Sequence, residues 1–188
     1  MANVLFNPIM EQIRGKIGEL VFRRFENRII IARKADLSGH VPTAGQLEVR
    51  ERFRGAAKYA NNVMADPARR ALYEPVAAKR GDPLRMVIMT DYLNPPEVDA
   101  ISVADYHGSI GDPVVVQATD DIAVTGVTIT IRDAADAVIE QGAATLADGQ
   151  WTYRATVAVP VGQEVMVIAT ATDRAEQVAT KILPLVVE

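Results

Sequence analysis

Between residues 150 and 159 the chain sets Trp151, Tyr153, Ala155, Val157 and Val159 at every second position, with Thr152, Arg154 and Thr156 between them. Period two sends alternate side chains to opposite faces, the mark of a strand with one buried face. Trp151 is the only tryptophan of the chain, and its size makes it the anchor of the core that this face joins. From about residue 99 onward the sequence reads as more strands packed around this one. Seven are predicted, over 101–106, 113–119, 124–132, 138–146, 151–159, 164–172 and 178–187. Turn-forming residues separate them, among them Gly108, Gly111 and Asp112, the pair Asp120-Asp121, residues 133–136, Asp148-Gly149, Pro160 with Gly162, and residues 173–176. Short strands spaced by about 8–12 residues predict an all-β sandwich.

The first half follows a different pattern. Residues 3–18 mix apolar side chains with Pro8, Gly15 and Gly18 and read as an extended arm with one helical turn over 9–13. Residues 20–25 and 28–33 are β-rich runs separated by Glu26 and Asn27, which predicts a hairpin. Thr43 and Gln46 form a capping box that opens a main helix. Its predicted apolar stripe runs from Leu47 through Phe53, Ala56, Ala57, Ala60 and Val63 to Met64. Asp66 and Pro67 stop that helix and start a second over 67–79, expected to bury Ala71, Leu72, Val76 and Ala77 before Gly81 ends it. Asp82 and Pro83 repeat the start signal for a third helix over 83–91. Pro95 and Pro96 make a stiff extended joint.

Charge divides the chain in the same way. Residues 1–90 carry 16 Lys and Arg against 9 Asp and Glu; residues 91–188 carry 4 against 15. That asymmetry suggests a basic module over 1–90, a Pro-rich joint over 91–98 and an acidic β-module over 99–188. No apolar run approaches the roughly 20 residues that span a bilayer, so no membrane insertion is expected. The first residues lack a basic segment followed by a long apolar one, so the expectation is no secretory signal, synthesis in the cytoplasm, and a place in a virion or an extracellular assembly. There is no cysteine, hence no disulfide framework and no thiolate metal site.

Three groups of residues are candidates for function. The arm's apolar side chains Val4, Leu5, Phe6, Ile9, Met10 and Ile13 have no evident core of their own and suit packing on a neighbouring subunit or strand addition at a sheet edge. Arg50, Arg54, Lys58, Arg69 and Arg70 line a basic helical face. Glu48, Glu51, Asp66 and Glu74 are interleaved with them, which favours a solvated face with local ion pairs; docking on an acidic protein surface comes next, and direct nucleic-acid binding is the weakest reading. Asp120, Asp121, Asp148 and Asp173 lie in loops that a sandwich gathers at one end, and could supply hard oxygen ligands to Ca²⁺. The favoured reading makes them turn residues bonding to their own backbone.

Catalysis finds little support. His40 and His107 each sit beside a glycine in a predicted loop, and Ser38, Ser102 and Ser109 lack a nucleophile-elbow context. No phosphate-binding glycine loop is present. The expectation is a non-enzymatic chain with no cofactor, Ca²⁺ at those aspartates being the less favoured reading.

Gly111-Asp112 before an apolar strand, the run over 120–131, the Trp151-Thr152-Tyr153 triplet and the Ala169–Asp173 stretch with its polar turn resemble bacterial immunoglobulin-like domains of surface and virion proteins. The resemblance covers roughly residues 99–188 and lacks the antibody-type cysteine pair. It implies a fold rather than a chemistry. Gly15-Lys16-Ile17-Gly18, Pro42-Thr43 with Gln46, and Asn94-Pro95-Pro96 are similar to elements of uncharacterised bacterial and prophage proteins, which implies a structural or assembly role. The expected fold class is α+β in two modules: an N-terminal β-hairpin plus helices, and a C-terminal all-β immunoglobulin-like sandwich of about seven strands. The expected function is self-association into a virion, tube or filament subunit through the arm and complementary charged faces, with further structural proteins as other partners. The alternative is an immunoglobulin-like binding or adhesion module that recognises a carbohydrate or a protein.

Overall fold

The computed structural model describes residues 2–4, 15–25, 28–36, 39 and 41–188. Its elements, in chain order, are β1 (Ala2–Val4), β2 (Gly15–Ile17), β3 (Leu20–Phe25), β4 (Arg28–Arg33), α1 (Ala44–Ala65), α2 (Pro67–Arg80), α3 (Leu84–Leu93), β5 (Glu97–Ser102), β6 (Pro113–Thr119), β7 (Gly126–Asp133), β8 (Val138–Ala143), β9 (Thr145–Ala147), β10 (Gln150–Arg154), β11 (Glu164–Thr172) and β12 (Val178–Val186). The fold class is α+β and mostly β. The compact units are Met1–Leu47 and Glu48–Glu188. The division falls near the start of the first helix rather than at the Pro-rich joint, so the helices share a unit with the acidic strands.

The first unit is an antiparallel sheet of order β1-β4-β3-β2. The predicted hairpin is present: β3 pairs β4 from Leu20↔Arg33 to Phe25↔Arg28. What the sequence presented as a free arm contributes a strand to its own sheet, since β1 pairs β4 with Val4 opposite Ile29. The remaining arm residues Leu5, Phe6, Ile9, Met10 and Ile13 lie outside the described residues.

The helices obey their predicted caps more closely than their predicted faces. Thr43 N donates to Gln46 Oε1 at 3.1 Å and Gln46 N to Thr43 Oγ1 at 3.3 Å, a closed capping box. Asp66 Oδ1 accepts from Ala68 N at 2.9 Å and Arg69 N at 3.3 Å, with Pro67 opening α2 and Gly81 closing it in the left-handed conformation. Asp82 does not repeat this role: α3 starts from Pro83 without a side-chain cap. In α1 only Ala56, Ala60 and Val63 are buried, while Leu47, Phe53 and Met64 are exposed. In α2 the buried residues are Tyr73 and Ala77, one turn apart, rather than Ala71 and Leu72. Ala60, Val63, Tyr73, Ala77, Val87 and Ile88 form the helical core, and Ile122 from the loop between β6 and β7 packs against it. The three helices therefore rest on one end of the strands.

The strands form two antiparallel sheets, β5-β6-β10-β9 and β12-β11-β7-β8. Both send apolar residues into a single core: Val114, Val116, Trp151 and Tyr153 from one, and Val127, Ile129, Ile131, Val165, Val167, Ala169 and Ala171 from the other. Each large side chain so buried contributes about 1.5–3 kcal/mol, which makes this double layer the main store of stability in the unit. Strands 113–119 and 164–172 fall where the period predicts. The predicted strand over 138–146 is two, β8 and β9, because the chain changes sheets at the buried Ala144, whose N donates to Val127 O at 2.8 Å. The first of the seven lies earlier than predicted, at Glu97–Ser102.

The Trp151 strand also ends sooner than its alternation suggests, at Arg154. Ala155 and Val159 remain buried because the loop after β5 takes over as their partner. Gly111 N donates to Ala155 O at 2.8 Å, Ala155 N to Asp112 O at 2.9 Å, and Val159 N to Gly108 O at 2.8 Å. Gly108 has φ +80°, and a Cβ there would sit 2.2 Å from Val159 O, against backbone that cannot swing aside. Gly108→Ala is therefore expected to cost about 3 kcal/mol or more. Gly126→Ala, at a position with open space and no positive φ, should stay within about 0.5 kcal/mol of the parent. Urea unfolding of both variants checks the pair.

Candidate functional site

An ionised side chain is seldom fully buried unless something pairs with it. Among the described residues the buried polar or charged side chains are Asp91, Thr130, Glu140 and Asp173. Glu140 has partners on one oxygen: its Oε2 accepts from Tyr153 OH, Thr156 N and Thr156 Oγ1, each at 2.7 Å, while its Oε1 is buried with no hydrogen-bond partner. The two aspartates lie elsewhere, where the helices meet the strands.

Asp91 sits in the last turn of α3 and is 0% exposed. Val87, Ile88 and Asp91 are the buried residues of that helix, so the carboxylate shares the apolar face. Its Oδ2 accepts from Tyr73 OH at 2.5 Å, and Tyr73 OH lies 2.8 Å from Tyr59 OH. Asp173, 2% exposed, follows the last residue of β11. Its Oδ1 accepts from Gln177 N at 2.7 Å, which closes the loop to β12. Asp120 follows the last residue of β6; its Oδ2 accepts from Ile122 N and Ala123 N, both at 2.8 Å. Each carboxylate thus spends one oxygen on local structure. The other oxygen, Asp91 Oδ1, Asp120 Oδ1 or Asp173 Oδ2, is buried with no hydrogen-bond partner. One oxygen from each residue lies within 4.8 Å of one from each of the others.

Electrostatics follow from that crowding. Burial pushes the Asp91 carboxyl up from the ordinary 3.8 to about 6, against the bond from Tyr73, and the charges of Asp120 and Asp173 push the same way. Arg174 opposes them. Its Nη1 donates to Leu72 O at 2.5 Å, and its guanidinium stands 5.7 Å from the centre of the Tyr73 ring. Burial likewise raises the Asp173 carboxyl, with Asp120 adding to the effect, and drives the Tyr73 hydroxyl well above the ordinary tyrosine range. Three carboxylates so placed can share protons or hold a cation with a preference for hard oxygen ligands.

The sequence-predicted acidic residues divide. Asp120 and Asp173 belong to the cluster; Asp121 and Asp148 do not. Asp121 accepts from Asn94 Nδ2 through its carboxylate and from Arg80 through its carbonyl. Asp148 takes a turn position with φ 51°. Both are exposed. The turn-residue reading describes Asp133 well, since its Oδ1 accepts from Ala135 N and Ala137 N at 2.9 Å each. It also describes Asp112, whose bonds from His107 N and Ser109 N hold its carboxyl below the usual range.

On the basic face, Arg54 pairs with Glu51 and Arg70 pairs with Glu74 at 3.0 Å. The Arg69 guanidinium lies 5.2 Å from the centre of the Tyr59 ring. Arg50 and Lys58 are exposed. No helix among the described residues is long and apolar enough to cross a membrane.

Sequence reasoning missed Asp91. Its spacing held the signal: it lies four residues after Val87 and three after Ile88, on the stripe those residues bury, near a helix C-terminus that disfavours negative charge.

No protein-family model matches the chain, and no curated protein matches it. Among solved structures, the crystal structure of CopC from Methylosinus trichosporium OB3b aligns with 50% of this chain and 93% of its own, at 16% identity and a TM-score of 0.39. So loose a likeness carries no argument about the site or its ligand.

In cation-free buffer Asp91→Asn should stabilise the chain at pH 7 by about 1–2 kcal/mol, because the neutral isostere escapes the burial and repulsion that raise the carboxyl. The sign follows from linkage. The folded carboxyl titrates near 6 and the unfolded one near 3.8, so the folded state binds more protons between those values and the parent loses stability as pH rises through 6. The advantage of Asn should therefore be full above pH 7 and vanish as pH falls to about 4. Paired thermal melts in EDTA across that range check it.

Proposed function

We propose that this chain is a non-enzymatic structural protein that self-associates into a higher-order assembly, with the basic N-terminal sheet of one copy seated on the acidic unit of the next. The observation that carries the reading is the make-up of the first unit. Its four-stranded sheet holds apolar residues on both faces, yet Ile29 is the only side chain buried among its described residues; Ile17 is 62% exposed and Leu20 44%. A sheet this small needs a packed face for independent stability, and a second protein surface provides one. Charge favours another copy as the occupant. Residues 1–47 carry 7 Lys and Arg against 4 Asp and Glu, and residues 48–188 carry 13 against 20. Two different complementary patches on one chain make a heterologous contact, which builds rings or filaments rather than closed dimers.

The same reading takes the strands as an immunoglobulin-like sandwich. What supports it is strand order. Lettered in chain order, β5-β6-β10-β9 follows the A-B-E-D sheet of that architecture, and β12-β11-β7 follows G-F-C, with β8 as an added strand. Such domains serve as rigid spacers and contact modules in many unrelated settings, which suits a subunit body.

Size-exclusion chromatography with light scattering, followed by negative-stain microscopy of the same fractions, tests the proposal. Species several times the 20.4 kDa monomer are expected at low salt. Their mass should fall as salt screens the charged faces, and a variant lacking residues 1–47 should remain monomeric. A 20.4 kDa species at every concentration and salt would overturn it.

A further inference from the structure

We propose that Asp91, Asp120 and Asp173 form a binding site for one Ca²⁺ ion that ties helix α3 to the two loops at the end of the strands. Three independent features converge there. Two of the three side chains are almost fully buried, Asp91 at 0% and Asp173 at 2% exposure. Every member keeps a buried oxygen without a hydrogen-bond partner, although each spends its other oxygen on a bond that fixes the carboxylate in place. One oxygen from each lies within 4.8 Å of one from each of the others. A point between three atoms so spaced is at most about 2.8 Å from each, so shifts of a few tenths of an ångström let one ion hold all three at calcium–oxygen distances of about 2.3–2.6 Å.

The chemistry of the donors selects the ion. An all-carboxylate set without imidazole or thiolate suits hard cations and gives no advantage to copper or zinc. Mg²⁺ demands near-octahedral geometry at about 2.0–2.1 Å and retains most of its water, whereas Ca²⁺ accepts irregular shells of about six to eight oxygens. Loop and helix carboxylates held by separate local bonds make an irregular shell. Asp120 is half-buried, the most accessible of the three, and water would fill the further positions. Arg174 adds one more positive charge beside the cluster, so three carboxylates meet a total of three positive charges.

The three residues come from α3, the β6–β7 loop and the β11–β12 loop. Binding should therefore register as stability of the whole 48–188 unit. Nothing in the site depends on self-association. In differential scanning calorimetry, Ca²⁺ at a hundredfold excess over its dissociation constant should raise the melting temperature by about 5–10 °C relative to EDTA. Mg²⁺ at the same concentration should do less. Asp91→Asn and Asp173→Asn should abolish the shift, while Asp148→Asn, which alters an exposed turn aspartate outside the cluster, should retain it. Tb³⁺ provides a readout independent of stability: excitation of tyrosine should sensitise its emission through Tyr73 and Tyr59, Ca²⁺ should quench that emission by competition, and Asp173→Asn should remove it. An unchanged melting temperature with no sensitised Tb³⁺ emission would overturn the proposal. So would a Ca²⁺ shift that survives in both Asp91→Asn and Asp173→Asn, and a larger shift with Mg²⁺ would overturn the assignment to Ca²⁺.

Discussion

The mutual burial of two β-sheets is the constraint on which the rest of the 48–188 unit depends. Strand β11 is its centre: all nine of its residues pair with β12, and eight of them also pair with β7. Val165, Val167, Ala169 and Ala171 face inward, with the first two taking space and the last two leaving it. Trp151 and Tyr153 enter from the opposite sheet. A one-residue slip in β11 would turn this entire set outward, so the register is fixed by the core and not by the loops. Those loops inherit their positions from it. Asp173 follows Thr172, the last paired residue of β11, and Asp120 follows Thr119, the last paired residue of β6. Thr125 joins the two loops, its N donating to Thr172 O at 2.8 Å and its Oγ1 to Asp173 O at 2.9 Å.

On that platform the helices act as a cover for one end of the strands. Ile122 enters their core from below, and Arg80, Asn94 and Arg174 reach between helix and loop. Tyr73 and Asp91 stand at the centre of the contact. Every polar link here joins residues far apart in sequence, such as Arg174 to Leu72 and Tyr59 to Arg174.

What could be read from the sequence divides along the same physical line. Local rules work where the deciding partner is a near neighbour. The capping box at Thr43 and Gln46, the Asp66-Pro67 start and the Gly81 stop are satisfied within four or five residues. The alternation in residues 113–119 and 164–172 reports directly which face is buried. Those rules fail where a distant partner decides. Phe53 and Met64 fit a helical stripe but remain exposed, because α1 has a neighbour only along its alanine side. Residues 155–159 alternate as a strand should, yet the loop over 107–112 holds them instead. Two of the three clustered acids were legible because loops at one end of a sandwich must come together. Asp91 was not, because turn chemistry does not point to a helix, and its place on the apolar stripe of α3 has meaning only once the strands beneath it are known.

The cost of that placement bears on why the cluster exists. A serine or an asparagine at position 91 could accept the bond from Tyr73 without bringing a charge into an apolar contact. Turn closure at Asp120 and Asp173 uses one oxygen each and gives no reason for the second to be buried without a partner. Three carboxylates gathered this closely, each with a buried oxygen that accepts no hydrogen bond, are unfavourable as anions, and protons or a cation relieve them. A single proton shared between two of them leaves the third charged. A divalent ion at the centre would give each carboxylate a positive partner and tie the helices to the strand ends. The arrangement is costly as a set of turns and economical as a coordination shell, and that difference is the physical argument for reading these residues together.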